Sequence, residues 1–173
     1  AAQELRRRYY TTYGTTMAGL LKEYPDVDID DYLDYVHDLD VARYLAPNPA
    51  LAAMLDRLPR PKSVFTNSIT GWAERITRQL GVRDHFEHIF DVRSFGYRSK
   101  PDPHAYAHVL ATLRLPGEAC VMLDDGALYL RGAKAAGITT IQVRAGAERT
   151  DGVDYAVDTV LDAEPVLQAL LAE

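Results

Sequence analysis

Cysteine is nearly absent from this chain. Cys120 is the one cysteine in 173 residues, so an internal disulfide is excluded and a reducing compartment is the natural expectation. No apolar run is long enough to cross a bilayer as a helix, and no stretch reads as a signal peptide. Long basic runs are missing too. The chain has 19 basic against 25 acidic residues, a formal charge of −6, which argues against nucleic acid or an anionic membrane surface as a partner. There is no Gly-x-Ser-x-Gly elbow for Ser/His/Asp hydrolysis, and Gly14 and Gly19 fall in a helical stretch rather than a phosphate-cradling loop. We find no repeat and no low-complexity tract. With 47% hydrophobic residues the chain can bury a core, and we expect a soluble, cytoplasmic protein of one domain or a domain with a small appendage.

What is present changes character near Pro59-Arg60-Pro61. Before it the signals are helical: residues 2–13, residues 15–24 up to Pro25, a helix through Leu33 and Val36 capped by Asp28 or Asp30, and a helix opened by Asn48-Pro49. After it, strands alternate with helices. We expect strands at 63–67, 88–92, 119–124, 139–144 and 155–160. Helices are expected at 71–80, 103–113, 128–136 and 163–172, with Gly81 and Gly137 as stops. Such alternation implies right-handed crossovers and a parallel sheet covered on both faces. The fold class is therefore α/β, with a helical part at 1–47 and a Rossmann-like core at 48–173.

Three polar tips then fall on one edge of that sheet, where open parallel sheets bind ligands. They are Thr66-Asn67-Ser68 after Val64-Phe65, Lys100 in Arg98-Ser99-Lys100-Pro101-Asp102-Pro103, and Asp124-Asp125 after Val121-Met122-Leu123. A hydroxyl, an amide and an ammonium suit a phosphoryl group, and paired carboxylates suit a hard cation such as Mg²⁺. Each tip also has a structural alternative. Thr66-Asn67-Ser68 could be a turn with an N-cap, Lys100 a solvated loop lysine carrying little packing, and Asp124-Asp125-Gly126 a turn. Two adjacent carboxylates repel each other and call for a cation, and the three tips together favour phosphoryl chemistry. His104 with His108 and His85 with His88 have ligand-like spacing but no third ligand, so we read them as surface histidines. Tyr9, Tyr10 and Tyr13 read as packing between helices.

From Thr66 to Gly137 the chain resembles the haloacid dehalogenase-like hydrolase superfamily. The match lies in Val64-Phe65-Thr66-Asn67, Lys100-Pro101-Asp102-Pro103, Val121-Met122-Leu123-Asp124-Asp125 and Ala133-Lys134-Ala135-Ala136-Gly137. The helical part, at Tyr9–Leu20 and Tyr32–Asp40, resembles the cap of the pyrimidine 5′-nucleotidase branch. The resemblance implies Mg²⁺-dependent hydrolysis of a small phosphate monoester through an aspartyl-phosphate, with a nucleoside 5′-monophosphate as the expected substrate. Thr66 and the Asn67 amide would hold phosphoryl oxygens and Lys100 would offset charge. Asp125 would bind Mg²⁺ directly, and Asp124 directly or through water. Tyr13, Thr15, Thr16, His37 and Asp40 of the cap would select the leaving group.

One family motif has no match. The Asp-x-Asp-x-Thr that supplies nucleophile and general acid should precede the cap, and the sequence opens, without Met, already in a cap-like helix. Asp26-Val27-Asp28-Ile29-Asp30 and Asp38-Leu39-Asp40-Val41-Ala42 follow no apolar strand, and we reject both. In the family the missing strand lies between those ending at Thr66 and Asp124, so we expect a central gap and a longer complete protein. The alternative is a catalytically inactive binding or scaffolding relative. A phospho-acceptor receiver domain has its acidic pair first and lysine last, the reverse of the order here. Tyr129 and Gly126 also depart from the family's usual residues beside the acidic pair.

Overall fold

Helix α1 (Ala2–Tyr13) and helix α2 (Thr16–Glu23) form a hairpin turning at Gly14 in the computed structural model, which describes residues 2–146 and 148–172. The hairpin closes because Gly19 leaves room for the buried Tyr9 ring, which a Cβ at that position would strike. Three donors then converge on one carboxylate: Arg8 at 2.5 Å, Tyr9 at 3.0 Å and Tyr13 at 3.2 Å from Glu23. Helix α3 (Ile29–Val36) starts where the Asp28 carboxylate accepts the N–H groups of Asp30 and Asp31. A short 3₁₀ turn at 41–43 is capped in the same way by Asp40. Asn48 caps helix α4 (Pro49–Arg57), whose proline needs no donor at that position.

The remainder alternates. Strand β1 (Ser63–Phe65), helix α5 (Thr70–Leu80) and strand β2 (His88–Phe90) come first, α5 ending at Gly81 with φ 76°. Helix α6 (Pro103–Leu113), strand β3 (Val121–Asp124), helix α7 (Ala127–Ala135) and strand β4 (Thr139–Val143) follow. Strand β5 (Tyr155–Val157) and helix α8 (Glu164–Ala172) complete the order. Every pairing is parallel, as expected of an α/β chain. The strands are shorter than their apolar runs, since their tips bend into turns held by side chains, and residues 117–119 form a 3₁₀ turn ahead of β3.

The sheet is in two pieces. β1 pairs with β2, and β3-β4-β5 form a second ribbon, with no ladder joining β1 to β3 among the described residues. The break lies between the strands leading to Thr66 and Asp124. What unites the halves is side-chain packing: Phe65 at the tip of β1 meets Phe95 edge-on at 5.7 Å and Tyr106 at 5.4 Å. The helices of the first part share this core, Met17 and Leu33 being buried with Ile69, Phe90, Val92 and Phe95. Among the described residues, no helix is long and apolar enough to cross a membrane.

The α1–α2 turn rests on the loop that carries Lys100. Gly14 has φ +85°, and a Cβ there would lie 2.6 Å from Pro101 Cδ. Gly14→Ala combines left-handed strain with this collision and should cost about 1–3 kcal/mol. Urea unfolding that left the midpoint unchanged would show that the turn does not seat on Pro101.

Candidate active site

The sequence-expected tips meet at the break in the sheet. The Thr66 N–H donates to Phe90 O at 2.9 Å, which fixes the residue just beyond β1, and the Ser68 N–H donates to the Thr66 hydroxyl oxygen at 3.0 Å. Asn67 does more than the sequence reading gave it. Its Oδ1 accepts the Lys100 N–H at 2.8 Å and its Nδ2 donates to Lys100 O at 2.9 Å, so one side chain holds the lysine backbone on both sides. Among the described residues, the backbone N–H of Asn67 has no acceptor.

Lys100 is 4% exposed. That corrects the expectation of a lysine with little packing. Its Nζ donates to Phe65 O at 2.9 Å and to Asp124 Oδ2 at 2.8 Å, and lies 4.7 Å from the Phe65 ring centroid and 5.4 Å from that of Tyr129. An ammonium has three donors; two are engaged here, and the third has no acceptor among the described residues. The Lys100–Pro101 peptide is cis.

Asp124 is engaged through both oxygens, Oδ2 by Lys100 and Oδ1 by the Gly126 N–H at 2.9 Å. Asp125 differs. Its carbonyl is held by Gln142 Nε2 at 3.0 Å, while among the described residues nothing bonds its exposed carboxylate. The described residues contain no cluster of three or more metal-binding side chains. Mg²⁺ characteristically takes one or two carboxylates and completes its shell with water and substrate phosphate. The free Asp125 carboxylate beside Asp124 fits that donor set.

Tyr129, where small or polar residues were expected, closes one side of the site. Its hydroxyl donates to Gly14 O at 3.0 Å and its carbonyl accepts the Tyr106 hydroxyl at 2.7 Å. Burial pushes both phenols well above their usual range, so they remain neutral donors beside Lys100.

Of the cap residues singled out by resemblance, two reach the tips. The Thr15 hydroxyl lies 3.3 Å from the Ser99 hydroxyl while capping α2, and His37 Nε2 lies 2.6 Å from Ser68 Oγ. Thr16 lines a surface cleft with residues of α1. The Tyr13 hydroxyl is committed to Glu23, and Asp40 is exposed at its 3₁₀ turn. The rejected acidic runs have structural roles at Asp28, which caps α3, and at Asp30, held by Arg93 at 2.7 Å and by Tyr97 at 3.1 Å. Ser99 and Gln142 were not foreseen as site residues, because their partners are remote in sequence and no local pattern marks them.

Two outcomes follow from these contacts. Lys100→Ala strands the largely buried Asp124 carboxylate and the Phe65 carbonyl, and should cost about 3–5 kcal/mol, with the double variant Lys100→Met/Asp124→Leu costing less. A Lys100→Ala protein with unchanged stability would refute a structural role for the pair. His37 donates from Nδ1 to Leu33 O at 2.6 Å, so its Nε2 accepts from Ser68 only when the ring is neutral. Burial, with nearby Arg75 adding to it, holds its pKa below the ordinary 6.5. The contribution of this contact is therefore complete above pH 6.5 and is lost as pH falls through the lower folded-state value. The stability difference between the natural chain and His37→Phe should shrink over that window, and a pH-independent difference would count against the assigned tautomer.

Comparison with known proteins places the chain. The profile of the family described as haloacid dehalogenase-like hydrolase matches residues 2–137. A tyrosine-protein kinase, PtkA, of Mycobacterium tuberculosis is 39% identical over 100 residues, covering 57% of this chain and 34% of the kinase. A protein described as a phosphatase from the same organism is 26% identical over 123 residues, covering 71% of this chain and 54% of the phosphatase. The chain thus spans a third to a half of the length of these relatives. Among solved structures, the L-2-haloacid dehalogenase of Xanthobacter autotrophicus shares the fold with a TM-score of 0.62 at 17% identity, over 96% of this chain and 82% of the other. The magnesium-bound HAD-hydrolase YfnB of Bacillus subtilis does so with a TM-score of 0.63 at 19% identity, over 96% and 78%. With its parallel α/β order and the family profile matched over residues 2–137, the chain belongs to the haloacid dehalogenase-like hydrolase family.

Proposed function

We propose that this chain forms the phosphoryl-binding part of a phosphate monoester hydrolase that acts through an aspartyl-phosphate. One observation carries the reading: the remaining Lys100 donor, the Thr66 hydroxyl and the unsatisfied Asn67 N–H lie on one sheet edge beside a free carboxylate. Donors of that kind bind and orient a phosphoryl group and offset the charge that builds on its oxygens. Asp125, with Asp124, would hold Mg²⁺, which supplies charge neutralisation at the phosphoryl oxygens when bound. The attacking carboxylate is proposed to lie on a further strand between β1 and β3 in a longer protein. Its oxygen would form the new bond to phosphorus as the ester oxygen leaves and takes a proton from a second acid. Resemblance of the cap to pyrimidine 5′-nucleotidases supports a nucleoside 5′-monophosphate such as UMP as substrate, with a tyrosine stacking on the base.

The identity to a tyrosine-protein kinase supports a second reading, transfer of a phosphoryl group from ATP to tyrosine by the same donors. Both readings are testable together. Residues 1–173 alone should not turn over p-nitrophenyl phosphate, and activity abolished by Asp125→Asn would overturn the missing-nucleophile proposal. The longer protein with Mg²⁺ should hydrolyse UMP in preference to glucose 6-phosphate and phosphoglycolate, and Lys100→Ala should lower turnover by orders of magnitude among molecules that remain folded. A preference for a non-nucleotide would sink the nucleotidase reading alone. Labelled phosphotyrosine formed from ATP without phosphatase turnover would favour the kinase.

A further inference from the structure

Helix α1 carries a stripe that neither its hairpin packing nor the strand-tip site uses. Gln3, Arg6, Arg7 and Tyr10 follow at spacings of three, one and three, so they share one face of the helix. With Thr16 they line a surface cleft of about 620 Å³. The adjoining stripe behaves differently: Arg8, Tyr9 and Tyr13 are all spent on Glu23. Arg6 and Arg7 are exposed and, among the described residues, have no ion pair. Two unpaired guanidinium groups, a carboxamide and hydroxyls in one concavity suit an anion.

The cleft is joined to the strand tips by aromatic rings. Tyr10 meets Tyr129 edge-on at 6.3 Å, and Lys100 Nζ lies 5.4 Å from the Tyr129 ring centroid. A molecule bound by its phosphoryl group at Lys100 would cross these rings before reaching Arg6 and Arg7. The overall charge of −6 provides no general attraction for anions, so a second negative group must be held locally. We propose that Gln3, Arg6, Arg7 and Tyr10 form a subsite for a second anionic group, carboxylate or phosphate, at the far end of a flat leaving group. This deepens the phosphoryl-site reading and rests on it: UMP, whose base is uncharged, leaves the cleft unfilled, and the preferred nucleotide carries a further carboxylate or phosphate at its far end.

Rigid matched probes test it by calorimetric titration of the purified 173-residue chain. Phenyl phosphate has one anionic end, whereas 4-carboxyphenyl phosphate and 1,4-phenylene bisphosphate have two. Each doubly anionic probe should bind about tenfold more tightly than phenyl phosphate at low salt, with the advantage shrinking as KCl rises. Tighter binding of only one of them would identify the anion as carboxylate or phosphate. Arg6→Gln/Arg7→Gln should abolish the advantage while leaving phenyl phosphate binding and the circular dichroism spectrum unchanged. Equal binding of all three probes, or an advantage that survives the double substitution, overturns the subsite. Asn67→Ala, which retains Lys100, separates the two claims. It should weaken all three probes alike, and if it weakens none while the arginine effect persists, the phosphoryl-site reading fails and the anion cleft stands.

Discussion

The Lys100 ammonium is the constraint on which the site depends. It bridges two ribbons that share no ladder among the described residues, taking the Phe65 carbonyl on one side and the Asp124 carboxylate on the other. An unpaired strand edge in a partly buried place costs free energy for every polar group left without a partner. Lys100 offsets part of that cost at one carbonyl, and Asp124 in return keeps the buried charge paired. The same residue thus holds the halves together and presents a donor where they part.

The helical hairpin is fitted to this arrangement from outside. Gly14 meets Pro101 and accepts the Tyr129 hydroxyl through its carbonyl, and Thr15 faces Ser99. On the other flank, His37 reaches Ser68, its ring 5.2 Å from that of Trp72, and its carbonyl accepts from Arg75. The first helices and the strand tips consequently pack together around the site, with Met17 and Leu33 buried in the same cluster as Phe90.

Local chemistry was legible in the sequence, and remote pairing was not. Helix starts at Asp28 and Asn48 and the stop at Gly81 follow from capping rules acting over a few residues. Thr66 and Asp124 could be placed at strand tips because short apolar runs end there, and Lys100 in the loop that leads into a proline-opened helix. The burial of Lys100 could not be foreseen, since it depends on Asn67, thirty-three positions away, and on rings from two other elements. Two strands are shorter than their apolar runs for local reasons: the Thr66 hydroxyl accepts the Ser68 N–H in a turn after β1, and a 3₁₀ turn at 117–119 delays β3.

The Asn67 clamp also bears on how the molecule is assembled. Its partner is 33 residues distant, Lys100 and Asp124 are 24 apart, and Tyr129 reaches back 115 residues to Gly14. Closing loops of this size loses chain entropy before any contact repays it. Helices α4 to α7 can gain structure from neighbours in sequence, whereas the site can form only after both ribbons and the hairpin have docked. The Lys100 amide, held by a side chain rather than by a helix or ladder, should then report on the last step of folding and the first of opening.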